Sequence, residues 1–160
     1  MNIFYIHTSP HISAQAMSDK HVVKMILESA QLLSTAHHLL NSDNAPLLYK
    51  PTHTKHPSAV WVRQSKAHYE WLYNHFISLC MEYTKRYGKV HGTDSKLRKL
   101  LATPPIKLLD NGFAPPPCAM PDEFKDGDSL SSYRRYYEAK KFFNEQDRTR
   151  YTKVLNTGVL

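Results

Sequence analysis

The stretch from Ser18 to about Leu40 constrains this chain more than any other. Val22, Ile26, Ala30, Leu33 and Leu40 recur at helical spacing. Val23, Leu27 and Ala36 widen the apolar side, which predicts a central, mostly buried helix. Ser18 or Asp19 can cap its start. Its polar face runs Lys20, Lys24, Glu28, Gln31 and Thr35.

Around this helix the sequence predicts further helices. Residues 2–6, Asn-Ile-Phe-Tyr-Ile, form a short apolar run, either a brief strand or an extended arm. Residues 41–57 read as a loop, and Pro57 suits the first turn of a new element, a single helical turn from Ser58 to Arg63. Ser65 caps a long helix whose stripe is Tyr69, Leu72, Phe76, Leu79, Cys80 and Tyr83. Gly88 ends it after Lys85 and Arg86, where cations complement the helix dipole. Thr93 or Asp94 starts a short helix through Leu101. Residues 103–121 hold six prolines and make a long loop. Asp128 or Ser129 opens a last helix to about Asn144, with Leu130, Tyr133, Tyr137, Ala139 and Phe143 facing inward. Residues 145–160 read as a flexible, polar and basic tail. The expected fold is all-α, a compact single domain over residues 1–160. It has three main helices, a short helix and a long Pro-rich loop.

Composition removes whole classes of function. The 160 residues suit one domain. Glycines number only five, and neither GxGxxG nor GxxxxGK[ST] occurs, so phosphate-cradling folds are excluded. Cys80 and Cys118 are too sparse for a disulfide scaffold or a Cys-rich zinc site, which fits a reducing cytoplasm. No apolar stretch approaches the roughly 18 residues of a membrane span. The start MNIFYIHTSPHIS lacks the basic region and apolar core of a secretory signal. What remains is charge: 21 Lys and Arg against 14 Asp and Glu, a net +7. That surplus points to an anionic partner, most commonly nucleic acid.

Four groups of residues can carry chemistry. His21, Lys24 and Glu28 fall at i, i+3 and i+7 on one helix face. An amine beside a carboxylate suits imine or acid–base chemistry, while a solvated Lys–Glu pair is the plain alternative. The loop His53-Thr54-Lys55-His56-Pro57, with Arg63 and Lys66 after it, offers cations and donors for phosphate, or is an exposed loop with chance histidines. Zinc is excluded there, because two further ligands are missing at recognisable spacing, and no metal site is expected. Tyr133, Arg134, Arg135, Tyr136 and Tyr137, followed by Lys140 and Lys141, can take phosphates and stack on bases; alternatively Tyr133 and Tyr137 fill the core. Finally, His7-Thr8-Ser9 and His91-Gly92-Thr93 are paired H-x-[ST] tripeptides, the mark of metal-independent two-histidine phosphodiesterases.

Several segments together bear a resemblance. Met120-Pro121-Asp122-Glu123-Phe124-Lys125-Asp126-Gly127-Asp128 resembles the segment before the last long helix of the phage pyrimidine-dimer DNA glycosylases of the endonuclease V type. Gln15-Ala16-Met17-Ser18-Asp19 is similar to the start of that family's first helix. Ala67 to Gly88, closing in Lys85-Arg86-Tyr87-Gly88, is similar to its middle helix. The resemblance implies a small all-helical protein acting on a damaged or modified base in double-stranded DNA. It further implies an N-glycosylase and AP lyase working through an imine, without a cofactor, as a cytoplasmic monomer.

In that family the nucleophile is an N-terminal amine exposed by methionine removal, assisted by a glutamate on the first helix. Here Asn2 is large enough to leave Met1 in place. The ungapped glutamate position falls on Val22, and the flanking arginines on His21 and Met25. The catalytic candidates are therefore the amine of Met1, Lys20 or Lys24, with Asp19 or Glu28 as acid–base partner and His21 beside them. The DNA-binding candidates are Lys55, His56, Arg63, Lys66, Tyr133, Arg134, Arg135, Tyr136 and Lys140. The missing glutamate leaves a non-catalytic DNA-shielding protein as the alternative.

Overall fold

A computed structural model describes residues 1–157, and over these the chain is all-helical. In order the helices are α1 (Pro10–Ala16), α2 (Asp19–Leu39), α3 (Pro57–Val62), α4 (Lys66–Tyr87), α5 (Gly92–Leu101), α6 (Ser129–Lys140) and α7 (Glu145–Thr157). Short 3-10 turns lie at Ala45–Leu47 and Asp122–Phe124. The expected central helix is α2, which packs on α4, with α3 and α5 along its flanks and α1 across α4. Val22, Ile26, Ala30 and Leu33 are fully buried against Tyr69, Leu72, Phe76 and Leu79 of α4.

The expected widening of the α2 stripe is half realised. Ala36 is buried, but Val23 and Leu27 stay 37% and 41% exposed. On the polar side Thr35 is buried instead, because its hydroxyl accepts the Thr52 N–H at 3.2 Å and donates to the Thr52 carbonyl. The loop after α2 folds back along that face.

Helix starts use caps different from some of those expected. Ser9 accepts the Ile12 N–H and caps α1, with Pro10 at its first position. Asp128 caps α6 by accepting from Ser131 N–H. Ser18 and Ser65 precede α2 and α4 without capping them. Ser18 Oγ donates to the Lys141 carbonyl and Ser65 Oγ to Asp110, so both tie a helix start to a distant segment. Gly88 ends α4 at φ +71°, as the sequence predicts for a left-handed C-terminal residue.

The chain after α6 departs from expectation. The helix stops at Lys140, so Ala139 is exposed and Phe143, outside the helix, is 48% exposed rather than inward. Of residues 145–160, read from sequence as a tail, Glu145–Thr157 form α7 and bury Tyr151 and Val154, and 158–160 lie outside the described residues. The physical reason is a polar anchor that periodicity does not register. Asn144 accepts the Asp147 N–H, and the buried Asp147 carboxylate accepts from Phe143 N–H and from Asp19 N–H across the fold.

The N-terminal run is an extended arm that, among the described residues, pairs with no strand. Ile3 to Ile6 are buried. Asn2 Oδ1 accepts the N–H of Ile3 at 2.7 Å and of Phe4 at 3.0 Å, and Phe4 takes a positive φ of 58°. A bulky residue holds that conformation only when its surroundings dictate it. Phe4 stacks on His21 with 4.7 Å between centroids and meets Tyr137 edge-on.

Candidate active site and nucleic-acid face

The arm brings the first residue onto the middle of α2. The Met1 α-amine lies 3.7 Å from Glu28 Oε1, with the Met1 side chain 3% and the Glu28 side chain 16% exposed. Asn2 holds this placement from both sides: Oδ1 fixes the next two backbone N–H groups, and Nδ2 donates to the Ala119 carbonyl at 2.7 Å. His56 completes the neighbourhood from the N-terminus of α3. Its Nδ1 accepts the Ser58 N–H at 3.0 Å, which leaves Nε2 as the protonated nitrogen of the neutral ring. Burial, then the positive N-terminus, then His53 hold the His56 imidazole below its ordinary value.

An α-amine beside a carboxylate has a defined chemical capacity. The carboxylate can take the ammonium proton, and the freed amine can attack an electrophilic carbon and form an imine.

The other carboxylate of α2 is differently occupied. Asp19 pairs with Arg86 at 3.1 Å and with Arg150 at 3.2 Å. Arg86 also holds the buried Glu82 at 3.0 Å and donates to the carbonyls of Met17 and Gln15. Arg150 also reaches Asp147. Asp19 is thus a clamp joining α1, α2, α4 and α7 rather than a partner of the amine.

The remaining candidates divide by exposure. Lys24 is exposed, and Lys20 is exposed with its ammonium 4.8 Å above the Phe143 ring. His21 is buried among Phe4, Tyr137 and Phe143. Its ring is pushed down to about 4, first by burial and then by Lys141 and Lys24, so it is neutral at pH 7 and packs as an aromatic. Lys55, Lys66, Arg135 and Lys140 are exposed cations. Arg63 is half-buried, its guanidinium donating to the Thr54 carbonyl at 2.7 Å, and it shapes the 53–57 loop from beneath. Arg134 is half-buried and donates to the Ile6 carbonyl, bracing the arm. Tyr136 is half-buried, with the Lys141 ammonium 5.0 Å over its ring. Tyr133 is corrected: it is fully buried, its hydroxyl donating to the Pro117 carbonyl, so no base can stack on it.

The two H-x-[ST] tripeptides also resolve locally. His7 Nδ1 accepts the Ser9 N–H and His91 Nδ1 the Thr93 N–H, the same ring-to-backbone bond that His56 makes. Each ring caps its own turn, and the strands on which a two-histidine phosphodiesterase carries its motifs are absent among the described residues. Sequence reasoning missed Asn2 as an anchor and Arg86 as the centre of the clamp. Only for Asn2 was there a signal, a side chain able to accept from its own following N–H groups.

Fold and geometry together describe a small, basic, all-helical protein with a terminal amine poised against a helix carboxylate. The family model for pyrimidine dimer DNA glycosylase matches residues 1–95, and the chain belongs to that family. The match takes in the arm, α1 to α4, Glu28 and His56, whereas the Met120–Asp128 segment lies outside it. No curated protein and no solved structure matches the chain. DNA is the substrate class of the family, and among the described residues no helix is long and apolar enough to cross a membrane.

Proposed function

We propose that this protein removes a damaged base from duplex DNA and cleaves the abasic product through an imine at the Met1 amine. The observation that carries the reading is the 3.7 Å approach of that amine to Glu28. Glu28 accepts a proton from the Met1 ammonium, and the freed lone pair attacks C1′ of the damaged nucleotide. The glycosidic bond breaks, and the base departs with its electron pair and takes up the proton that the newly bonded amine gives up. Ring opening, with O4′ leaving C1′ as a hydroxyl that takes the proton held by Glu28, gives a protonated imine between Met1 and C1′ and returns Glu28 to its carboxylate form. Loss of the C2′ proton to Glu28 then expels the 3′ phosphate and nicks the strand. Lys55, Lys66, Arg135 and Lys140 supply phosphate contacts, whose affinity falls steeply with salt. A non-catalytic, DNA-shielding role rested on the absence of a carboxylate at Val22, and the position of Glu28 weighs against it.

The test is borohydride trapping on a duplex with one abasic site, followed by mass spectrometry of the cross-linked peptide. An adduct on the Met1 peptide is expected. Intact DNA binding with no adduct overturns the imine mechanism, and an adduct on Lys20 or Lys24 moves the nucleophile. A duplex carrying a pyrimidine dimer, the lesion in the family's name, is the first base-excision substrate to try.

A further inference from the structure

The C-terminal end of α2 carries a hole beside a knob. Just past the helix Asn41 takes a positive φ of 53°, and Ser42 N–H donates back to the His37 carbonyl at 3.0 Å. A second turn closes where Leu108 N–H donates to the Pro105 carbonyl at 3.0 Å. Between the two turns lies a cavity of about 330 Å³, walled by Leu40, Pro104 and Pro105. Its floor is fixed, because the buried His37 ring bonds Ser42 Oγ at 2.9 Å and the Tyr69 hydroxyl at 2.8 Å.

The knob is Ile106. Pro105 and Leu108 are buried, which turns Ile106 and Lys107 outward at the corners of the second turn. Ile106 is 93% exposed, at a position where Gly, Asn or Asp is the usual choice. Leu47 and Leu109, beside the two turns, are also exposed. Asp43 and Lys107 both stand exposed on the rim of the cavity, yet among the described residues neither makes an ion pair. The last described turn of α7 is too far away for three further residues to cover this surface. Helix α7 packs on α1 and not along α2, and Arg150 ties it to Asp19. His37 lies about 27 Å along α2 from Asp19, whereas the chain after Arg150 spans at most about 21 Å.

A knob beside a hole, with a carboxylate and an ammonium on one rim, is complementary to its own copy turned by half a revolution. We infer that this surface pairs with a second copy of the chain about a twofold axis. Ile106 of each copy enters the cavity of the other, and Asp43 of each copy meets Lys107 of the partner subunit. Apolar burial supplies the affinity, while the rim charges fix the register and disfavour alignments that set like charges together. A small ligand would fill the cavity and leave Ile106 in water, whereas a second copy uses both. The pairing is independent of the amine chemistry, because Glu28 stands nine positions back on α2, about 13 Å from His37.

Analytical ultracentrifugation of the full chain from about 10 μM to about 1 mM tests the pairing. A species of twice the chain mass is expected to grow in with concentration. Ile106→Lys changes a corner that lies almost wholly in water, so folding is retained, and it should weaken the association at least about tenfold. Asp43→Lys and Lys107→Asp each set like charges at both rim contacts, so each variant alone should stay monomeric with an unchanged circular dichroism spectrum. Mixed in equal amounts the two should form a heterodimer, because every rim contact then joins a lysine to an aspartate again. A chain that stays monomeric throughout the range overturns the pairing, including the case in which a small molecule or another protein takes the cavity. Self-association that Ile106→Lys leaves unchanged overturns it as well, since the interface then lies elsewhere. Charge variants that remain monomeric when mixed overturn the twofold arrangement.

Discussion

The two carboxylates of α2 stand nine positions apart on one helix and have opposite surroundings. Asp19 sits in a closed set of charges, with Arg86 and Arg150 against it and Glu82 and Asp147 completing the cluster. Every strong donor there is spent on holding helices together. Among the described residues Glu28 pairs only with the α-amine of an arm that is anchored by Asn2, and the exposed Lys24 lies one turn earlier on the helix. One carboxylate is surrounded by partners that cannot leave. The other has, among the described residues, a single partner whose proton can be taken. Nine positions along an α-helix put them on opposite sides of it, so each meets a different part of the chain.

Arg86→Met tests the clamp and carries the largest expected effect. It leaves Glu82 buried without its partner and frees two backbone carbonyls, which should cost about 3–5 kcal/mol in denaturant unfolding. Trapping per folded molecule should stay unchanged, and a parallel loss of trapping would break the division of roles. Glu28→Gln tests the other side. Its trapping rate should fall about 100-fold, the scale of one general acid–base group, with unfolding stability and DNA affinity retained.

His21 lies between the two regions and responds to acid. Its folded value of about 4 lies below the ordinary 6.5, so its contribution is fully present above pH 6.5 and is lost as pH falls toward 4. Between pH 6.5 and pH 5 that histidine alone should lower stability by about 2 kcal/mol. Thermal unfolding of His21→Phe across the same range should show a flatter acid limb than the unmodified chain. Asn2→Leu keeps a large second residue but removes three hydrogen bonds from the arm. Trapping should slow about tenfold at unchanged DNA affinity, and Asn2→Asp, which keeps both acceptor bonds, should restore most of it. Equal trapping by both variants would mean that the arm needs no side-chain anchor.

Much of the fold was legible because helical period and punctuation are local. The α2 and α4 stripes, Pro57 at the start of α3 and Gly88 at the end of α4 all follow from residues a few positions apart. Helices α1 and α7 were not legible. The first has only seven residues, too few for a period, and the second depends on the anchoring of Asp147 against Asp19 across the fold. The site was legible as a set of residue types and illegible as a pairing. Met1, Asp19 and Glu28 could all be named, but an ungapped comparison placed the carboxylate at Val22, which is buried in the core. The spacing between arm and helix is set by residues 7–18, whose turn and short helix have no apolar period.

By itself the sequence determined an all-helical chain, a central helix with its core face, a basic surplus and the short list of groups able to do amine chemistry. Each of these depends on neighbours in the chain or on composition. The tertiary structure alone decided that Tyr133 is core, that three histidines cap their own turns, that Asp19 is clamped by arginines from α4 and α7, and that Glu28 meets the Met1 amine. Those outcomes depend on contacts between segments far apart in sequence, where a side chain's role is fixed by which partner reaches it first and whether water is left beside it.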